Sequence, residues 1–122
     1  MNSKQKGKRG ELEVANILKN YGYDTRRSAQ YCGNTGEAAD VVGVCGLHIE
    51  VKRTESFRDE ASLQQAERDA KKGELPIVFY RRSREKWKVA LRMDLFMIVW
   101  NELSLEQKYR IKEKIKFSGK SE

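Results

Sequence analysis

The chain has few of the residue types that build metal cages, disulfide frameworks or catalytic histidine pairs. Its 122 residues include one histidine, His48, and two cysteines, Cys32 and Cys45. The cysteines lack a Cys-x-x-Cys spacing and a single histidine offers no zinc site, so we expect two reduced thiols in a cytosolic protein. One histidine also excludes a metal-free mechanism that uses two histidines as acid and base.

Long hydrophobic runs are missing as well. Apolar residues occur in short stretches, and none approaches the roughly 18 residues of a membrane-spanning helix. The basic N-terminal sequence MNSKQKGKRG is not followed by the apolar segment of a secretory signal. These absences lead us to expect a cytoplasmic protein that has no membrane partner.

Positive charge, in contrast, is abundant. Lys and Arg number 25 against 18 Asp and Glu, which gives a net charge of +7, and they cluster in residues 1–10 and 81–92. Such clusters suit a polyphosphate partner because each neutralised phosphate releases counterions. The charge therefore favours nucleic acid as the partner; the alternative is a basic protein that is merely soluble.

The length predicts one domain that spans residues 1–122, with a basic flexible arm at 1–6 and a C-terminal basic helix and tail at 105–122. Hydrophobic periodicity and turn residues predict the elements between them. These are a helix from Gly10 to Gly22, strands at 23–29, 38–44 and 47–53, a helix from Ser62 to Gly73, strands at 77–80 and 87–92, and a helix from Asp94. This order indicates a mixed α/β domain.

The segment LHIEVKR, residues 47–53, shows the alternation of a half-buried strand. Glu50 and Lys52 share one face of it, about 7 Å apart, and the apolar residues take the other. His48 lies at the far end of the polar face and is expected to be exposed. A carboxylate beside an ammonium can be a metal ligand next to a charge stabiliser, or a solvated pair. The segment alone leaves both interpretations open.

Three further acids lie in apolar surroundings or on the first helix. Asp40 falls within the apolar segment AADVVGV, where an unpaired carboxylate would be costly, so a metal ion or Lys52 should lie near it. Glu11 and Glu13 are rivals for a place in the same site, because residues two apart on a helix point in different directions. Both acids also suit the first turn of a helix, where they favour the helix dipole.

Five segments of the chain follow the order of a known nuclease pattern. They are Lys6-Gly7, Glu11, Arg27-Ser28-Ala29, Ala39-Asp40-Val41-Val42 and Ile49-Glu50-Val51-Lys52. Over about residues 6–54 the chain resembles the PD-(D/E)XK nucleases, and among them the archaeal-type Holliday junction resolvases. The second half is similar to small phage-encoded nucleases of the same superfamily. Ala39 stands where the motif has proline.

The resemblance implies a restriction-endonuclease-like α/β fold, in which helices flank a mixed central β-sheet. It implies that Asp40 and Glu50 bind Mg²⁺, for which Mn²⁺ can substitute, and that the Val51 carbonyl and Glu11 complete the metal shell. Lys52 would position or activate the attacking water and offset charge on the phosphate. The implied catalytic set is Glu11, Asp40, Glu50 and Lys52.

Other residues are candidates for DNA contacts or for an accessory role. The DNA-contact candidates are Lys6, Lys8, Arg27, Ser28, Arg81, Arg82 and Arg84. Gln65 is a candidate accessory residue of the site, but Ser62 and Gln65 also form the signature of a capping box that starts a helix. Gln65 can therefore be an accessory residue of the site or part of a helix cap.

The resulting hypothesis is a Mg²⁺-dependent endodeoxyribonuclease, similar to Holliday junction resolvases, that acts on branched DNA in a bacterial, archaeal or phage-infected cell. Symmetric cleavage of a four-way junction needs two active sites, so a homodimer is expected, with the helix at Phe96–Trp100 or the last helix as its interface. One alternative is a phage or mobile-element nuclease of the same fold that cuts flaps, nicks or duplex. Another is a DNA-binding module without catalytic activity.

Overall fold

The computed structural model describes residues 3–28 and 39–117. Within them the elements are α1 (Ser3–Asn20), β1 (Arg26–Arg27), β2 (Val41–Val42), β3 (Leu47–Arg53), α2 (Asp59–Asp69), β4 (Leu75–Arg81), β5 (Lys88–Ala90), α3 (Met93–Glu102) and α4 (Leu105–Phe117). The chain divides into two compact units, Met1–Leu91 and Arg92–Glu122. The single domain expected from the length stays a prediction.

The first unit contains a five-stranded sheet, as far as the structure describes it, in the order β1-β2-β3-β4-β5. Neighbouring strands are antiparallel except β3 and β4, which run parallel, with Ile49 opposite Ile77 and Val51 opposite Phe79. Parallel strands need a crossover connection, and α2 supplies it. The predicted mixed α/β architecture is confirmed.

Strand β3 has the bounds that its alternating pattern predicts, but it is buried on both faces. Ile49 and Val51 pack with α1 in the main core, while α2 packs against β3 and β4 on the opposite face. His48 and Glu50 are consequently 2% and 1% exposed. The prediction of a half-buried strand with an exposed His48 is therefore wrong, because α2 covers the polar face.

Helix α1 begins at Ser3 rather than at Gly10, so residues 3–6 are helical instead of a flexible arm. Gly10 lies inside the helix, where it allows a close approach to β3. A Cβ atom at this position would lie 2.6 Å from the Cβ atom of Arg53. Glu11 and Glu13 consequently sit in the middle of α1, not in its first turn, and the helix-dipole explanation of these acids is wrong.

Strands β1 and β2 are shorter than predicted, but their backbone pairing continues past their ends. The Ser28 N–H donates to the Asp40 carbonyl at 2.9 Å, and the Asp40 N–H donates to the Ile49 carbonyl at 2.9 Å. The parts of these two predicted strands at Ala29 and Ala38, together with Cys32, lie outside the described residues. The predicted hairpin of β2 and β3 is confirmed.

Helix α2 begins at Asp59, so Ser62 lies buried inside it and the predicted capping box of Ser62 and Gln65 is wrong. A capping box is instead present at the start of α4, where the sequence has Ser104 and Gln107 in the same spacing. The Gln107 N–H donates to Ser104 Oγ at 3.0 Å, and the Ser104 N–H donates to Gln107 Oε1 at 2.7 Å.

The second unit contains α3 and α4. The residue that precedes α3 is Arg92, and Asp94 lies in the first turn rather than at the cap, where its Oδ1 accepts the Leu95 N–H at 2.9 Å. The rings of Phe96 and Trp100 stack with their centroids 6.1 Å apart. Among the described residues, none of the helices is both long and apolar enough to cross a membrane.

Candidate active site

A cleft of about 630 Å³ opens where α1, the residue before β2 and the end of β3 meet. It is lined by Ser3, Lys6, Gly7, Glu11, Asp40, Val51, Lys52, Arg53, Thr54, Glu55 and Ser56. Three members of the predicted catalytic set, Glu11, Asp40 and Lys52, thus face one cavity although they are far apart in the sequence. Gly10 contributes by letting α1 lie close to the end of β3.

Asp40 is fixed by its backbone and its side chain together. Its carbonyl and N–H pair with Ser28 and Ile49, and its Oδ2 accepts the Val51 N–H at 2.8 Å. The carboxylate is therefore held against β3 at the residue that separates Glu50 from Lys52. Because these three hydrogen bonds join Asp40 to backbone groups, the backbone of the sheet sets the position of Asp40.

Glu50 is buried beside Asp40 and turned toward His48, with 2.8 Å between Glu50 Oε1 and His48 Nε2. Burial raises the pKa of Glu50 to about 7; the His48 hydrogen bond opposes this rise and the charge of Asp40 adds to it. Burial also works against a charged His48, but the hydrogen bond and charge of Glu50 outweigh it and raise the pKa of His48. The buried pair therefore holds a proton near neutral pH.

Glu11 and Glu13, the two rival acids of α1, point to different places. Glu11 lines the cleft and accepts a hydrogen bond from Arg27 Nε at 2.9 Å. Burial raises the pKa of Glu11, the Arg27 hydrogen bond opposes the rise, and the charge of Asp40 adds to it. Glu13 instead accepts hydrogen bonds from Arg81 Nη2 at 2.9 Å and Trp87 Nε1 at 3.3 Å. Glu13 thus ties α1 to β4 and to the residue before β5, outside the cleft.

Lys52 is oriented by a residue of α2. Its Nζ donates a hydrogen bond to Gln65 Oε1 at 2.9 Å. Since the ammonium has three N–H donors and Gln65 accepts only one of them among the described residues, the other two can reach groups in the cleft. Gln65 therefore contacts the predicted site. A role of Gln65 in a capping box would not have predicted this contact.

The acids of the site carry suitable donors for a divalent cation, but their present contacts hold them apart. No group of three or more His, Cys, Asp or Glu side chains within residues 3–28 and 39–117 converges to bind a metal ion. Glu50 is held by His48 and Glu11 by Arg27. The negative charge of Asp40 nonetheless raises the pKa of both Glu11 and Glu50, so a positive charge near Asp40 is favourable.

The predicted DNA contacts fall into two groups. Arg27 and Arg81 have side chains that are 15% and 17% exposed and bind carboxylates of their own chain. Ser28 is 2% exposed, and its Oγ has no hydrogen-bond partner among the described residues. The remaining predicted contacts have more accessible side chains or lie at the cleft. They are Lys6, Lys8, Arg82 and Arg84.

Three residues near the site were missed by the sequence-based argument. His48 was expected to be exposed, whereas it touches Glu50 in the interior. Arg53 and Glu55 line the cleft beyond Lys52. A signal for Glu55 was present in the sequence, since it is an acid that closely follows the basic pair Lys52 and Arg53, but its partners come from α1 and from the turn after β4.

Comparisons with known proteins agree with this arrangement. The chain is similar to the solved structure of Hjc, a Holliday junction resolvase from the archaeal hyperthermophile Archaeoglobus fulgidus. The TM-score is 0.53 and the identity 22%, over 70% of this chain and 72% of that chain. This likeness confirms the predicted restriction-endonuclease-like fold. A comparison with curated protein sequences gives no significant match.

The family described as "Phage putative PDDEXK endonuclease" matches residues 2–120. Because the match spans nearly the whole chain, the protein belongs to this family of nucleases. The resemblance inferred from the motifs is thereby confirmed. Nucleases of this superfamily generally use divalent metal ions.

Proposed function

We propose that the protein is a metal-dependent endodeoxyribonuclease that hydrolyses phosphodiester bonds in branched DNA, in the manner of a Holliday junction resolvase. One observation carries the proposal. Glu11, Asp40 and Lys52 line a single cleft, and Glu50 lies next to Asp40, in a chain that belongs to a nuclease family. A DNA-binding module would gain nothing from acids placed where they repel phosphate.

Asp40 and Glu50, with Glu11 and the Val51 carbonyl, would hold the metal ion. Their hard oxygen donors fit Mg²⁺, and Mn²⁺ is expected to replace it. The mutual repulsion of Asp40 with Glu11 and with Glu50 is the feature that a cation would relieve. When bound, such an ion neutralises charge on the scissile phosphate and makes a water molecule a better nucleophile.

The side chains of the protein supply the remaining steps. Lys52 is held by Gln65, so its other N–H groups orient the attacking water and offset the charge that builds up on the phosphate. Glu50 must turn from His48, and Glu11 from Arg27, to face the substrate. Arg27, whose Nε donates to Glu11, then binds a neighbouring phosphate beside the cleft.

The same proposal also specifies branched DNA as the substrate and a homodimer as the active form. It is supported by the shared fold with a protein described as a Holliday junction resolvase and by the net charge of +7. A C2 dimer supplies two active sites for paired incisions. We place this activity in the cytoplasm of a bacterial, archaeal or phage-infected cell, in DNA recombination.

A cleavage assay tests the proposal. Purified protein is mixed with a synthetic four-way junction, a flap, a single strand and a duplex, each with Mg²⁺, Mn²⁺ or EDTA. Lys52→Ala and Asp40→Asn are the matched inactive variants, and size-exclusion chromatography with light scattering gives the oligomeric state. Paired symmetric nicks in the junction alone, lost with EDTA and in both variants, are the expected result.

Other outcomes would contradict separate parts of the proposal. Cleavage of flaps, nicks or duplex in preference to the junction would retain the nuclease and reject the resolvase. Full activity of Asp40→Asn would reject the assigned site. DNA binding that survives EDTA without cleavage of any substrate would reject the enzyme in favour of a binding module.

A further inference from the structure

A carboxylate just outside the predicted catalytic set is surrounded by positively charged and neutral donors. Glu55 Oε2 accepts hydrogen bonds from Lys6 Nζ at 3.0 Å, from Arg53 Nη1 at 3.2 Å and from Ser83 Oγ at 2.8 Å. The Ser83 N–H lies 3.2 Å from both carboxylate oxygens. These donors come from α1, from the end of β3 and from the turn after β4.

The donors are held in place by one another as well as by Glu55. Arg53 Nη2 donates to Ser83 Oγ at 3.2 Å, and Arg82 Nε donates to the Glu55 carbonyl at 3.1 Å. The Arg53 side chain is 13% exposed and that of Lys6 is 27% exposed, whereas the Glu55 side chain is 52% exposed. The cations are thus anchored in the protein, and the acid that joins them is the accessible member.

This donor set matches the chemistry of a phosphate group. An arginine, a lysine, a backbone N–H and a hydroxyl are the groups that proteins direct at the phosphate oxygens of DNA. The hydrogen bonds from Lys6 and Ser83 lower the pKa of Glu55 to about 2, which reflects how strongly the surroundings favour an anion. A carboxylate and a phosphate diester each carry one negative charge and present two oxygens, so they can exchange at this position.

The position relative to the active site also fits a DNA strand. Lys6, Arg53 and Glu55 line the same cleft as Glu11, Asp40 and Lys52. Lys6 and Glu11 are five positions apart in the helix, which is about 7.5 Å along the axis of α1. That distance is roughly the rise of two nucleotides in one strand of a duplex. A strand whose scissile phosphate lies at the acids therefore places a nearby phosphate at Lys6 and Arg53.

We propose that Lys6, Arg53 and Ser83 form a binding site for a DNA backbone phosphate beside the scissile one, and that Glu55 occupies this site in the free protein as an autoinhibitory contact that the DNA displaces. The inference rests on the proposed DNA substrate, and it adds a phosphate site and its internal competitor. The competing explanation is that Glu55 only clamps the segment after β3 to the turn after β4.

Binding measurements on the full chain separate the two explanations. A fluorescent four-way junction and a duplex of equal length are titrated with protein in EDTA, so that no cleavage occurs, over a series of salt concentrations. The variants are Glu55→Gln, the control Glu85→Gln, and each Glu55 form in a Lys6→Gln/Arg53→Gln background. Glu85 is a matched control because it is also an exposed acid that pairs with a lysine and an arginine, but it does not line the cleft.

We expect Glu55→Gln to bind DNA roughly threefold to tenfold more tightly than the wild type, since the competing acid made two exposed ion pairs. The slope of the logarithm of the binding constant against the logarithm of the salt concentration should become steeper by about one counterion. The reason is that the freed cations release a bound counterion when they bind phosphate. Glu85→Gln should show a smaller gain. In the Lys6→Gln/Arg53→Gln background the gain from Glu55→Gln should vanish.

A clamp with no role in DNA binding predicts different results. Unchanged or weaker binding by Glu55→Gln, a gain no larger than that of Glu85→Gln, or a gain that persists without Lys6 and Arg53 would each overturn the proposal. If circular dichroism shows that Glu55→Gln is unfolded, Glu55→Asp replaces it, because the shorter side chain withdraws the carboxylate at constant net charge and should also tighten binding. Loss of nuclease activity would not affect these binding results, so the proposed function and this proposal fail independently.

Discussion

Lys52 of β3 and Gln65 of α2 are joined by a hydrogen bond of 2.9 Å that links the sheet to α2 beside the cleft. The bond leaves Lys52 fixed in direction without neutralising its charge. Gln65 is therefore a positioning residue for Lys52 in the proposed mechanism.

We expect Gln65→Ala to lower kcat for DNA cleavage by roughly 10- to 100-fold, because misplacement of a catalytic group by about 1 Å has an effect of this size. The KM should change little, since the substrate does not depend on Gln65 for binding. Single-turnover cleavage kinetics measure the effect. Gln64→Ala is the matched control, because the neighbouring Gln64 is exposed and donates only to Glu60 among the described residues. Equal losses in both variants would contradict the positioning role.

The two acids of α1 should differ in what their removal changes. Glu11→Gln removes a proposed metal contact and should lower cleavage by at least roughly 100-fold while the fold is retained. Glu13→Gln should leave cleavage nearly unchanged and lower the free energy of unfolding by about 1 kcal/mol, because the ion pair with Arg81 is lost. Urea denaturation and cleavage assays on both variants check this contrast. The reverse pattern would show that Glu13, not Glu11, serves the site.

The stability of the metal-free protein should fall as the pH rises from about 4.5 to 7. Glu50 has an ordinary pKa of 4.5, raised to about 7 in the folded protein by burial. In this window the unfolded chain has lost a proton that the folded chain still binds, so folding becomes less favourable with increasing pH. The raised pKa of His48 acts in the same direction above its ordinary value of 6.5. The raised pKa of Glu50 should lower the free energy of unfolding by a total on the order of 3 kcal/mol across this pH range.

Urea denaturation in EDTA across this pH range measures the effect. Glu50→Gln should give a flatter profile, because the amide has no proton to lose. Glu85→Gln should keep the wild-type slope, since the hydrogen bond from Lys88 lowers the pKa of Glu85. The contribution of Glu85 to the free energy of unfolding therefore no longer changes with pH above 4.5. A wild-type profile that rises over the same range would contradict the buried, proton-binding state of Glu50.

Two glycines of α1 should respond in opposite ways to alanine. Gly10→Ala would place a Cβ atom 2.6 Å from Arg53, so we expect a loss of about 1–3 kcal/mol in the free energy of unfolding. Gly7→Ala meets no atom within 4 Å and should stabilise the helix by up to about 1 kcal/mol. Thermal and urea denaturation test the pair. Stabilisation by both substitutions would mean that α1 does not approach β3 as closely as the structure indicates.

The sequence predicted the bounds of the central strand β3 better than the tertiary contacts that this strand makes. The alternation in residues 47–53 predicted β3 to the residue, because a strand leaves a period of two whichever layer covers it. The same alternation could not reveal that α2 covers the polar face. His48 and Glu50 therefore looked accessible in the sequence, although they are buried together in the structure.

Local sequence patterns gave wrong predictions where a contact between distant residues determines the structure. Gly10 looked like the start of a helix, but it permits α1 to pass close to Arg53. Ser62 and Gln65 looked like a capping box, but the helix already begins at Asp59, and Gln65 binds Lys52 thirteen residues away. Glu55 could not be assigned, because its partners lie 49 and 28 residues away in the chain.

The way in which Asp40 is anchored affects how such a nuclease can change over evolution. Its carbonyl, N–H and carboxylate are all held by backbone groups of Ser28, Ile49 and Val51. These hydrogen bonds to Asp40 therefore depend on the backbone at those three positions and not on which side chain each residue carries. Relatives can thus diverge in sequence around Asp40 while the position of its carboxylate stays the same.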